Sequence, residues 1–103
     1  NHRVITEGYT RMLTAFTMIQ ARPDAIKRVA QAIAELPHVS EVYSVTGEWD
    51  IIAIVRLQDY EKLAEVIPDE ISRLDGITRT STVLAFRRFA PSDLEDAWTI
   101  GID

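Results

Sequence analysis

The sequence predicts an α+β domain of order βαββαβ, and three observations carry that prediction. Residues 12–20 and 49–57 are apolar runs too short for ordinary helices and rich in β-branched or aromatic residues. Each run precedes a segment whose apolar residues recur at helical spacing. A weak internal repeat sets Leu36-Pro37-His38-Val39-Ser40-Glu41-Val42-Tyr43-Ser44-Val45 against Leu74-Asp75-Gly76-Ile77-Thr78-Arg79-Thr80-Ser81-Thr82-Val83, thirty-eight residues on. Each copy reads as a turn followed by a strand.

The elements follow in order. Strand β1 covers 12–20. Helix α1 covers 24–36, with Ile26, Val29, Ala30 and Ile33 on one buried face. Asp24 puts a negative charge near its N-terminus, where Pro23 is tolerated, and Pro37 ends it. Strand β2 (39–46) and strand β3 (49–57) are joined through Thr46-Gly47-Glu48, read as a short hairpin turn. Helix α2 covers 60–74, with Asp59 as N-cap and a stripe of Leu63, Val66, Ile67, Ile71 and Leu74. Pro68 interrupts it. A proline there loses one hydrogen bond and clashes with the Ala64 carbonyl, at about 3 kcal/mol, so a kink or break is expected. Gly76 lies just past the helix, where a positive φ is often needed. Strand β4 covers 77–88. This is the ferredoxin-like split βαβ pattern, an antiparallel four-stranded sheet. Right-handed crossovers put both helices on one face.

Residues 12–90 form the expected ligand-binding and oligomerisation domain, and residues 1–11 an N-terminal extension. Residues 91–103 form a tail in which Ser92 and Glu95 mark a helix start. Its Trp98, Ile100 and Ile102 are apolar and must land on this subunit or a neighbouring one.

Alternate residues of a strand face opposite sides. In β1, Leu13, Ala15 and Ile19 fall on one side, and Phe16 and Met18 on the other. In β3, Ile51, Ala53, Val55 and Leu57 oppose Ile52 and Ile54. Both faces of the central strands are therefore apolar, and two helices cover only one. An exposed apolar face is a liability in a monomer. A second copy packed sheet to sheet with two-fold symmetry removes it; the alternative is the tail folding back over it.

Composition narrows the function. A chain of 103 residues fits one domain and, at 47% hydrophobic, a folded one. There is no cysteine, which excludes disulfides and thiolate metal sites and suits the cytoplasm. No apolar run reaches the ~20 residues of a membrane span. Net charge is −5, and the only basic doublets are Lys27-Arg28 and Arg87-Arg88, so direct nucleic-acid binding is not expected.

Chemistry is thinly represented. His38 is a lone loop histidine, His2 lies in the extension, and no spacing suits a metal. The four glycines are isolated, so no phosphate loop exists, and no serine sits in a nucleophile turn. Glu48 and Asp50 could form an acid/base pair, but acidic residues around a hairpin are more often plain turn residues. No catalytic residue, metal or cofactor is implied, and no enzyme is expected. What remains is suited to binding. The hairpin Thr46-Gly47-Glu48-Trp49-Asp50 offers amides, carboxylates and an aromatic surface. Strand β4 offers Thr78, Thr80 and Thr82, on one face by period two. Glu48 or Asp50 could take an ammonium, and N–H and O–H groups a carboxylate. On composition alone, threonines that simply favour strands account for the row nearly as well.

These residues carry a resemblance. Val42-Tyr43-Ser44-Val45-Thr46-Gly47-Glu48-Trp49-Asp50 is similar to the strand–Gly-x-x-Asp–strand hairpin of the Lrp/AsnC (feast/famine) transcription regulators. Gly76-Ile77-Thr78-Arg79-Thr80-Ser81-Thr82 is similar to that family's β4 signature, and Leu36-Pro37-His38-Val39 to its loop before β2, where a glycine is commoner than His38. The resemblance covers about residues 12–90. It implies dimers formed through the sheets, rings of dimers, and amino acids or related small molecules bound between subunits. By motif position it implies Gly47, Asp50, Thr80 and Thr82 as ligand-binding residues; Glu48 and Trp49 join them at positions that vary. Family regulators carry an N-terminal helix-turn-helix, and about eleven residues before β1 are too few for one. The chain thus resembles stand-alone versions of the domain, with regulation expected through mixed oligomers with DNA-binding relatives. The alternatives are a small dimeric α+β barrel enzyme, which needs a roomy polar cavity, and a purely structural assembly module.

Overall fold

Alternation along the two central strands decides which way the sheet faces. In the computed structural model, which describes residues 12–91, β1 (Leu13–Ala21) buries Ala15, Thr17, Ile19 and Ala21 on one side. Strand β3 (Ile51–Leu57) buries Ile51, Ala53, Val55 and Leu57. The antiparallel register sets Ile19 beside Ile51, Thr17 beside Ala53 and Ala15 beside Val55, so the two rows form one floor. Helix α1 (Ile26–Ala34) follows a tight turn at Pro23–Ala25 and adds Val29 and Ile33 to that floor. Leu63, Ile67 and Ile71 come from the second helical segment and join the same core. Both helices therefore lie on one face, as the ferredoxin-like reading expects.

Strand β2 (Val39–Ser44) and strand β4 (Ile77–Leu84) complete an antiparallel sheet of order β2-β3-β1-β4. Strand β4 ends at Leu84, earlier than the sequence suggests. Among the described residues it has only β1 as a neighbour, and the Ala85 N–H bond to the Thr14 carbonyl, 2.8 Å, lies just past its end.

The second helix widens just before Pro68 and does not break, since residues 60–72 are helical throughout. Residues Lys62–Val66 form a wider π turn, and the Ile67 N–H reaches back five residues to the Lys62 carbonyl. Helix α2 proper (Ile67–Ser72) then starts with Pro68 in its first turn, where a missing N–H is harmless. Asp59 caps the segment by accepting the Lys62 N–H at 3.1 Å. The tail helix expected from Ser92, and the 1–11 extension, lie outside the described residues.

The internal repeat is structural. His38 and Gly76 occupy equivalent positions, and both have positive φ, 71° and 106°. On either side the same pair of bonds recurs: Leu36 N–H to Ile33 O and Val39 N–H to Leu36 O in one copy, Leu74 N–H to Ile71 O and Ile77 N–H to Leu74 O in the other. Gly76 is also pressed for space, since a Cβ there would lie 2.7 Å from the Ala25 Cβ. His38 instead is exposed and carries its side chain in the left-handed region, against the usual cost. Substitution at the two sites therefore acts with opposite sign. Gly76→Ala is expected to destabilise the fold by about 2–4 kcal/mol through strain and overpacking. His38→Gly is expected to stabilise it by about 0.5 kcal/mol, the relieved strain exceeding the extra chain entropy. Urea unfolding of the two variants checks both.

Candidate functional site

The connection between β2 and β3 is longer than a tight hairpin. Strand β2 stops at Ser44 and β3 starts at Ile51, leaving six residues closed by the Val45 N–H bond to the Asp50 carbonyl, 3.0 Å. Gly47 makes the bend with φ 108°; nothing would meet a Cβ there, so the backbone and not space requires the glycine.

Asp50 anchors this loop to β1 from both its groups. Its N–H donates to the Ile19 carbonyl at 2.9 Å, and its carboxylate Oδ2 accepts the Ala21 N–H at 3.0 Å. Ala21 sits where the β1–β4 register slips, at a bulge that a carboxylate is well placed to satisfy.

Glu48 and Trp49 meet a residue that the sequence leaves out of the site. Arg79 pairs with the Glu48 carboxylate at 3.2 Å, and its guanidinium lies 4.5 Å above the Trp49 ring. The Glu48 carbonyl accepts the Gln20 side-chain amide at 2.7 Å. Gln20 and Arg79 are cross-strand partners on the face away from the helices. The signal was available: by period two, Arg79 points opposite to Thr80, toward the side where the loop returns.

The hydroxyl row is split. Thr80 and Thr82 pair with Ile19 and Thr17, on the helix side of the sheet. The Thr82 hydroxyl lies 3.0 Å from that of Thr17, itself 1% exposed. Thr80 is half-buried, and its hydroxyl has no hydrogen-bond partner among the described residues. Thr78 does not share their row as period two suggests. It falls at the bulge, and its hydroxyl donates to the Gln20 carbonyl at 3.1 Å. The structure thus brings Gly47, Glu48, Trp49 and Asp50 together at one end of the sheet. Thr80 and Thr82 stand beside that end but on the other face. Among the described residues no group of three or more acidic or histidine side chains is arranged to hold a metal, and no helix is long and apolar enough to cross a membrane.

The open face next to this loop forms two rows across all four strands. One runs Tyr43–Ile52–Met18–Ser81, the other Glu41–Ile54–Phe16–Val83. Four half-buried apolar side chains occupy the middle and polar groups most of the margin. Tyr43 donates to Glu41 at 2.8 Å, and this bond, with the carboxylate's charge, raises the phenol above its ordinary pKa.

The family model of the Lrp/AsnC ligand binding domain matches residues 14–94, most of the chain. The chain belongs to the Lrp/AsnC family. An uncharacterized HTH-type transcriptional regulator of Pyrococcus furiosus is 37% identical over 76 residues, covering 71% of this chain and 51% of its own length. The HTH-type regulator LrpA of Pyrococcus abyssi is 30% identical over 93 residues, 82% of this chain and 66% of its own length. The chain thus spans about half to two-thirds of these curated relatives. A solved Thermus thermophilus protein is 49% identical, with a TM-score of 0.69, over 76% of this chain and 98% of that one. A Neisseria meningitidis regulator in complex with L-Met shares the fold at 18% identity, with a TM-score of 0.66 over 87% of this chain and 57% of that one. This Lrp/AsnC chain is therefore a ligand-binding domain of a transcription-regulator family.

The Gly-x-x-Asp aspartate of this domain has a structural duty. Removing the carboxylate in Asp50→Ala leaves the Ala21 N–H without its protein acceptor and is expected to cost about 1–2 kcal/mol. Chemical denaturation measures that loss, and an unchanged midpoint would contradict the anchoring role.

Proposed function

We propose that this domain senses a small molecule, an amino acid or a close relative of one, and couples its binding to self-assembly in transcription regulation. The observation that carries the reading is the open apolar sheet face with the Gly47–Asp50 loop at its margin. A second copy placed on that face would bring new groups beside a loop that one chain leaves open. Grooves elsewhere on the chain, such as those lined by Leu13 and Phe86 or by Glu65 and Arg73, include none of the six expected site residues.

The chemistry suits a zwitterion. Glu48 and the second oxygen of Asp50 could receive an ammonium, while loop N–H groups could receive a carboxylate. The complex of the Neisseria regulator with L-Met supports the view that this fold can hold an amino acid. Binding at a subunit boundary shifts assembly by the difference in affinity between two states. On this reading the domain acts by binding and not by catalysis. Residues 12–91 form the sheet and its two helices alone, and mixed assembly with DNA-binding relatives is the route to DNA proposed for this span.

Thermal unfolding against the twenty amino acids at millimolar concentration tests the reading. A ligand at ~100 times its dissociation constant adds roughly 2.7 kcal/mol, a shift of several degrees at this size. The expected outcome is a selective shift that Glu48→Gln diminishes, since that change removes the carboxylate charge offered to the ammonium and keeps the volume. A flat panel on a folded, assembled sample would contradict an amino-acid ligand.

A further inference from the structure

The end of the sheet opposite the Gly47 loop is basic and aromatic. One groove of about 340 Å³ is lined by Met12, His38, Arg56, Asp59 and Lys62, among others. A second, of about 260 Å³, contains Thr14, Phe16, Arg56, Arg87 and Phe89. Arg56 belongs to both, so the grooves adjoin. Elsewhere on the chain the arginines have carboxylate partners: Arg22 and Arg28 with Asp75, Arg73 with Asp69, Arg79 with Glu48. Arg56, Lys62 and Arg87 have none within ion-pair distance among the described residues. Beside them Phe86 is 97% exposed and Phe89 78%, with Arg87 stacked 5.2 Å from the Phe89 ring. Aromatic rings left this bare, next to unmatched guanidinium groups, describe a surface lacking its cover.

The chain itself carries the complement. Residues 92–103 hold Asp93, Glu95, Asp96 and Asp103 and no lysine or arginine, together with Leu94, Trp98, Ile100 and Ile102. They begin three residues after Phe89, which itself lines the groove. Arg56 on β3 lies two strands from β4, a distance of roughly 10 Å across the sheet. Twelve residues reach up to about 40 Å when extended, so length is no obstacle. So short a connection also gives the segment a high effective concentration at its own groove.

We propose that residues 92–103 dock on the Arg56–Arg87–Phe89 end of their own sheet, acids against the guanidinium groups and Trp98 against the exposed rings. This places the tail at one end of the open face, over Thr14 and Phe16, and leaves Met18 and Ile52 to a second copy. It is independent of any small-molecule ligand.

The chain has two tryptophans, so Trp49→Phe leaves Trp98 as the only reporter. In that full-length chain, Trp98 emission is expected to be blue-shifted and protected from acrylamide, at a level independent of protein concentration. Reversing the groove with Arg56→Glu and Arg87→Glu should shift emission to the red and raise quenching. Adding Asp93→Lys, Glu95→Lys and Asp96→Lys to that background should restore both. Circular dichroism checks that each variant is folded; if the groove reversal is not, rising salt on the Trp49→Phe chain should expose Trp98 in its place, by screening the pairs. Trp98 equally quenched in every variant would overturn the proposal. So would protection that ignores charge reversal, which means docking elsewhere, or protection lost on dilution, which means a neighbour's groove.

Discussion

A β-sheet whose middle strands are apolar on both sides has two faces to cover. Two short helices cover one of them here, through Val29, Ile33, Leu63, Ile67 and Ile71 over the rows from β1 and β3. The other face leaves Phe16, Met18, Ile52 and Ile54 half-buried. A domain this small buries only about two-thirds of the surface its unfolded chain exposes, so an uncovered patch weighs heavily. The rest of the structure can be understood from that imbalance. An apolar centre with a polar margin is how protein interfaces are built. The Gly47–Asp50 loop lies on that margin and not at the middle.

The loop is held by β1 and β4 as well as by its own closing bond. Asp50 fastens it to the end of β1, Gln20 holds the Glu48 carbonyl, and Arg79 clamps Glu48 and Trp49 from β4. The bulge at the end of β1 is what makes the Ala21 N–H available to Asp50 and turns Thr78 aside. One local irregularity thus serves both halves of the candidate site. A change in how the sheet face is packed would be felt at the loop through Gln20 and Arg79, which sit on that face.

Much of this was legible in the sequence because it rests on periodicity. The apolar rows of β1 and β3 are read by alternation, and the irregularity before Pro68 follows from a missing N–H. The repeat correctly paired the turn at His38 with that at Gly76, although only the structure reveals that His38 takes a glycine-like conformation. What periodicity cannot see is a change of register. The bulge removed Thr78 from the row, and the closing bond between Val45 and Asp50 turned a short hairpin into a six-residue loop. Arg79 was missed for a related reason: its partners are distant in sequence and meet only when the loop folds over β1. The motif pointed to Asp50 as a ligand group, and only the structure reveals that one of its carboxylate oxygens also holds a backbone amide.

Sedimentation equilibrium of the intact chain beside a Met18→Glu variant tests pairing through the open face most directly. Met18 lies in the middle of that face and outside the helix-side core, so a charge there spares the fold but would be buried unpaired between two sheets. The predicted result is a native species of two or more chains and a folded, monomeric variant. A native chain that stays monomeric at high concentration, or a variant that assembles as the native chain does, would contradict pairing through this face.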